Sequence, residues 1–477
     1  MHIIGRNQEI RQLDAFYDSG KPEFIALYGR RRVGKTYLID QKYGNEICLK
    51  ITGIIDGTAQ EQMSVFVLGL RQLGYQGGIP KNWLEAFACL QQFLFAKLVR
   101  GKRCIVFFDE LPCFETPKSG FVKAFGNFWN NWCSVHSEIM LIVCGSATSW
   151  MIKNIIDSHG GLHNRITHEM HIKPFTLAET ETFLKSNEIL WDRLSILHTY
   201  MFFGGIPYYL NLIEKGESVA QCIDRLFFSE DGPLKHEYER LMKSLFKSPD
   251  LYKVIIDALC KKKKGLTREE IADYLKIPNN GHLSECLSNL VECDFLRYYN
   301  VRNKSVKKTG GLYQLVDFFS YFVNQFCKKT TTDKHYWTNH LNTPTVNNWK
   351  GLAFERICQA HIEQIKGALG ISQIGTEYYS WRSKNPEDGA QIDLIIERAD
   401  RIINIFEIKY SEQEYSLQKE EFLKIQNRVA AFKQETGTRG TTLPVLITTF
   451  GLKKNEYASS VQKSICMDDL FEGGVVK

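Results

Sequence analysis

The chain has 477 residues, enough for about three domains of ordinary size, and its 44% apolar content with 30 Phe, 21 Tyr and 8 Trp excludes a disordered or fibrous polymer. Its 60 Lys and Arg against 54 Asp and Glu leave +6, too mild a surplus over this length to require a nucleic-acid partner. Thirteen cysteines with no CxxC spacing exclude a small disulfide scaffold and point to a reducing cytosol, hence to a cytoplasmic chain.

The start, MHIIGRNQEI, turns polar within five residues, so no export signal is expected. The longest apolar runs, around Ile105 to Phe108 and Ile139 to Cys144, have strand length and fall short of the ~20 residues that span a bilayer. A soluble chain without a membrane partner is expected.

Over residues 1–175, short apolar runs alternate with helical patterns, the rhythm of a parallel sheet with crossover helices. The first run, Phe24 to Tyr28, is followed by Gly29-Arg30-Arg31-Arg32-Val33-Gly34-Lys35-Thr36 and then by the helical stretch TYLIDQKY. This is a complete GxxxxGK[ST] in the context its chemistry needs. The glycines let backbone N–H groups curl around phosphate oxygens at a helix N-terminus, Lys35 reaches the β/γ-phosphates, and Thr36 ligates magnesium. ATP and Mg²⁺ are the implied cofactors.

The second strand-like run, Cys104 to Phe108, ends in Asp109-Glu110, placing one acid for the magnesium shell and another to orient water as the catalytic base. A third run, Met140 to Cys144, ends in Gly145-Ser146, where Ser146 is either a γ-phosphate sensor or an ordinary turn residue.

These residues resemble the archaeal-type ATPases of the AAA+/STAND group of P-loop NTPases, from Ile4-Gly5-Arg6-Asn7 through Gly205-Ile206-Pro207. The resemblance implies that the Gly5-Arg6-Asn7-Gln8-Glu9-Ile10 segment lies near the adenine. It also implies that Arg165, after Asn164 and before Pro174-Phe175, is an arginine finger acting in cis or across a homo-oligomer boundary. The basic run Arg30 to Arg32 is typical of the same group.

Residues 176–249 read as a helical lid. Over 250–327, three short helices and two strands joined by a basic loop look like a winged helix-turn-helix, with Thr267 and Glu270 as a capping box. Between 251 and 310 there are 12 Lys and Arg against 7 Asp and Glu, so most of the chain's surplus sits here. The helix Leu283 to Leu296 would read a groove and Arg302, Lys304, Lys307 and Lys308 would meet phosphates, with spacer duty the alternative. The polar stretch 328–348 reads as a linker.

Residues 349–477 read as a closing α/β domain. Glu355 lies on a helix beside the stripe Phe354, Ile357, Cys358 and Ile362, and Gln391 to Ile396 with Ile402 to Ile408 form a hairpin carrying Asp393, Glu407 and Lys409. Carboxylates Glu355, Asp393 and Glu407 are the residue types that hold magnesium against a phosphodiester, and Lys409 the type that activates water. Glu407 and Lys409, two apart on a strand, share a face while Phe406 and Ile408 point to the core.

The segment resembles a PD-(D/E)xK nuclease-like domain, with Ile392 where the usual proline stands. The fold class expected is therefore α/β: a P-loop NTPase parallel-sheet core, helical lid, winged helix-turn-helix domain and a restriction-endonuclease-like α/β domain. The resemblance implies an ATPase coupled to a metal-dependent DNA nuclease. The alternatives are an ATP-switched DNA-binding regulator or scaffold with an inactive nuclease fold, and a protein-remodelling ATPase.

Overall fold

The computed structural model describes residues 3–157, 161–262, 265–299, 311–328, 331–383 and 390–472. The apolar runs of the first 175 residues become β1 (Glu23–Tyr28), β2 (Ile47–Thr52), β3 (Cys104–Asp109), β4 (Ile139–Cys144) and β5 (His168–His171). They form one parallel sheet in the order β2-β3-β4-β1-β5. Both faces of its central strands are covered, which is why β3 and β4 read as unbroken apolar runs and not as alternating ones.

One face packs an aromatic cluster in which Phe66, Phe87, Phe108, Phe121 and Phe125 are buried, with ring centroids such as Phe108 to Phe125 at 5.5 Å in edge-on contact. The other face joins a longer core that runs from Leu13 and Leu38 through the helices of 177–245 to Phe354, Ile396 and Phe471.

The middle segment holds helices Pro249–Lys261, Arg268–Leu275 and Gly281–Glu292, then the antiparallel pair β6 (Leu296–Tyr299) and β7 (Leu312–Leu315). The Thr267–Glu270 capping box is present. The expected helix to Leu296 stops at Glu292 because Asp294 takes φ 59°, a left-handed turn that sends Leu296 into β6. Arg302, Lys304, Lys307 and Lys308 lie outside the described residues.

The stretch 328–348 corrects the expectation of a linker. Tyr336–His340 is helical, and the helix Pro344–Ala360 starts within the stretch, with Thr343 as its cap. Buried Asp224 accepts hydrogen bonds from the Trp337 and Thr338 amides at 2.7 and 3.1 Å, and Trp337 meets Trp349 edge-on at 5.7 Å. Polar residues here serve as caps, and the two tryptophans supply the burial.

The last unit is a mixed sheet of β8 (Thr376–Arg382), β9 (Gln391–Arg398), β10 (Ile402–Lys409), β11 (Thr441–Thr448) and β12 (Lys463–Ile465), ordered β12-β11-β10-β9-β8. β9 and β10 are antiparallel, β10 and β11 parallel, and the helix Lys419–Thr436 makes the crossover between the latter two. Among the described residues no helix is long and apolar enough to cross a membrane. All thirteen cysteines are free thiols.

Candidate functional site

Strand order builds the first site. Because β4 lies between β1 and β3, the carboxyl ends of all three are neighbours, where open α/β sheets hold ligands. The segment after β1 is the phosphate loop, closed by Gly34 as cap of the helix Lys35–Tyr43. Gly29 has φ 132° and a Cβ there would lie 2.4 Å from the Ile172 carbonyl oxygen, so no other residue fits. Gly34 has φ 89° and open space around it, and Arg32 also takes a positive φ of 74°. Such a loop turns successive N–H groups inward.

Lys35 is buried and its Nζ donates to the carbonyls of Gly29 at 2.8 Å and Arg30 at 3.0 Å. Burial pushes its ammonium pKa down, against the nearby Cys144, Glu110 and Asp109. Thr36 Oγ1 lies 3.0 and 3.1 Å from the two Asp109 carboxylate oxygens. A hydroxyl and a carboxylate brought together from two strand ends are the hard oxygen donors magnesium takes, so these residues fit the ion. Glu110, at φ 49°, holds Oε2 against the Ser146 amide and hydroxyl at 3.1 and 2.9 Å. Ser146 is thus joined to the acid expected to act on water.

Sequence reasoning missed several partners of this site. The buried Cys144 thiol donates to Asp109 Oδ1 at 2.6 Å, and burial and that carboxylate raise its pKa far above the thiol range. Arg6 donates to the Val33 carbonyl at 2.9 Å, tying the N-terminal segment to the loop. Buried Arg30 pairs with Asp317, and Arg32 pairs with Glu237 while stacking 3.9 Å from the Tyr208 ring centre. Arg31 and Val33 complete the loop, Val33 within the core.

Arg165 is exposed and is not brought to this site. It stands two residues before Thr167, whose amide bonds the Phe24 carbonyl at the opposite edge of the sheet. That is about 15 Å of strand, at ~3.3 Å per residue, from the loop.

The second cluster lies on the C-terminal sheet. Phe406 pairs with Leu394, so Glu407 and Asp393 are the next opposed pair, and Phe406 and Ile408 are buried as alternation requires. Glu407 accepts Lys409 Nζ on Oε1 at 2.9 Å and Arg428 on Oε2. Asp393 Oδ1 accepts from Gln391 Nε2 at 2.8 Å, and the Ser380 hydroxyl donates to the Asp393 carbonyl at 2.6 Å.

Glu355 faces the same acids. Burial, then Asp393, pushes its pKa up to about 8, and burial raises that of Asp393 too. Glu355, Asp393, Glu407 and Lys409 are therefore gathered, but Glu407 is already neutralised by cations. Among the described residues no group of three or more His, Cys, Asp or Glu is arranged to hold a metal ion, so in this packing the set does not fit one.

Residues 3–213 match the family described as an ATPase domain predominantly from Archaea. The chain is 24% identical over 399 residues to the protein MJECL04 of Methanocaldococcus jannaschii, covering 82% of this chain and 84% of that one. Among solved structures, the Walker-type ATPase PABY2304 of Pyrococcus abyssi is 20% identical with a TM-score of 0.45, covering 68% of this chain and 96% of that one. The ORC2 protein of Aeropyrum pernix is 13% identical with a TM-score of 0.40, covering 73% and 94%. The family match falls on the stretch that builds the Lys35–Thr36–Asp109 cluster, and this N-terminal part of the chain, an α/β unit on a five-stranded parallel sheet, is similar to that ATPase domain.

Proposed function

We propose that the chain binds MgATP at Gly29–Thr36, hydrolyses it, and uses the nucleotide state to control a PD-(D/E)xK nuclease-like domain that acts on DNA. The observation that carries the first half is the convergence of Thr36 Oγ1 and the Asp109 carboxylate beside Lys35. When bound, the magnesium nucleotide supplies the phosphoryl group and the charge that these residues balance. Lys35 exchanges its two backbone carbonyls for phosphate oxygens. Thr36 and Asp109 hold the metal shell, and Glu110, steadied by Ser146, orients water. The Gly5–Ile10 segment borders the adenine, supported by the Arg6 bond to the loop. Arg165, exposed at the far edge of the sheet, acts across a boundary with a second copy.

The three-helix module with β6 and β7 serves as the winged DNA-binding element, supported by its basic surplus. The cutting chemistry falls to Glu355, Asp393, Glu407 and Lys409 only once Glu407 is released from the two cations that hold it in this packing. A second reading, a regulator whose nuclease fold is inactive, is favoured by one observation: both Glu407 oxygens are already taken by cations. Nicking of supercoiled plasmid with Mg²⁺ or Mn²⁺, with and without ATP, separates the two. Cleavage that is lost in Asp393→Ala supports the nuclease, and its absence under all conditions supports the regulator.

A further inference from the structure

Outside both carboxylate clusters, the helices of 177–245 leave a cavity of about 370 Å³ beside the loop that follows β10, a size that holds small molecules. On the helix Arg193–Phe203, Ser195, His198 and Phe202 stand three and four residues apart and so share the face that borders it. Trp337 and Trp349 extend the apolar wall, their ring centres 5.1 and 5.2 Å from that of Phe202. The body of the cavity is therefore aromatic.

Its polar end differs from a packed core in two ways. Trp349 is 2% exposed, yet its indole Nε1 has no hydrogen-bond partner among the described residues. A buried donor left unpaired costs free energy, which an acceptor on a ligand restores. Next along the helix, Lys350 is buried, and its one hydrogen bond among the described residues runs to Glu412 Oε1 at 2.9 Å. The Glu412 side chain is 54% exposed, so the counter-ion of a buried ammonium is one that can swing into water. The Tyr410 hydroxyl donates to the same oxygen at 3.2 Å and meets His198 Nε2 at 2.7 Å. Burial, then Lys350, holds the His198 pKa down at about 4, so the ring is neutral at ordinary pH. With Glu412 swung out, Lys350 leaves the cavity one positive charge to be matched.

We propose that this cavity binds a small planar organic carboxylate, whose ring lies against Phe202, Trp337 and Trp349 and whose carboxylate takes Lys350 and the Trp349 indole N–H in place of Glu412. The exchange keeps the ammonium paired, as a buried charge requires. A cation would face Lys350, and a neutral ring of the same shape would leave the ammonium to Glu412, so charge and shape together select the class. The site uses neither the phosphate loop nor the C-terminal acids, and the inference goes beyond the proposed function without resting on it.

Calorimetric titration of the full chain with benzoate, cinnamate and 1-naphthoate, each beside its neutral amide, tests the site. At least one carboxylate should saturate a single site below about 10 mM and bind at least about tenfold more tightly than its amide, the scale of a hydrogen bond to a charged group. No saturable binding by any of the three, or equal binding of acid and amide, would overturn the proposal.

Lys350→Met should weaken the bound carboxylate at least about tenfold and Trp349→Phe about threefold or more. Glu412→Gln, which removes the ion being displaced, should tighten it about two- to fivefold. Tightening is a readout that a merely structural pair does not give, and it carries the test alone if Lys350→Met does not fold: unchanged or weaker binding in Glu412→Gln sinks the exchange. Lys35→Ala then locates the carboxylate. Parent-like affinity keeps it in this cavity, whereas loss of binding moves it to the phosphate loop and overturns the site.

Discussion

Two sheets in this chain each gather a lysine and carboxylates, yet the two clusters differ in who holds whom. At the N-terminal sheet, Lys35 bonds backbone carbonyls and Asp109 bonds a hydroxyl and a thiol, so ammonium and acid are not spent on each other. At the C-terminal sheet, Lys409 and Arg428 already occupy Glu407. The first arrangement leaves opposite charges free for a ligand with both a metal and phosphates. The second is internally balanced and must be rearranged before it can take a cation.

Lys35→Ala should break the comparison most severely. ATP turnover is expected to fall about a hundred- to a thousandfold, the scale on which preorganised charge stabilises a transition state, with helical content unchanged by circular dichroism. Equal turnover would put the two lysines on the same footing.

The second cluster should show itself through pH instead. Glu355 has a folded pKa raised to about 8, above the ordinary carboxylate range, so the protonated form favours the folded state. Its contribution is fully present below about pH 4.5 and is lost as pH rises through about 8. Urea melts in EDTA should therefore show stability falling by up to a few kcal/mol across that window. Glu355→Gln should flatten the decline. An unchanged slope would mean that the acids are not mutually buried.

Asp224→Ala should cost about 1–3 kcal/mol, since it orphans buried amides, as read by thermal melting. Lys409→Met should change stability by less than about 1 kcal/mol, because the pair with Glu407 is partly exposed. A larger loss would mean that the C-terminal cluster is held by that pair and not by burial.

What the sequence made legible was local. The phosphate loop, the strands ending in Asp109 and Ser146, the Thr267 capping box and the hairpin bearing Asp393 and Glu407 are each written within a few consecutive residues. What it hid was set by distant pairing. Cys144 reaches Asp109 only because β4 inserts between β1 and β3, and Asp317 finds Arg30 from more than half the chain away. Arg165 reads as a site residue, yet strand polarity carries it to the opposite edge. The Trp337 stretch reads as a linker because its polar residues dominate the pattern, whereas two buried indoles and the Asp224 cap decide its structure.

Calorimetric titration of the full chain with magnesium and a non-hydrolysable ATP analogue tests the central claim most directly. A single saturable site in the parent, absent in Lys35→Ala and weakened when EDTA removes the metal, is the predicted result. No heat in the parent, or the same heat in Lys35→Ala, would contradict it.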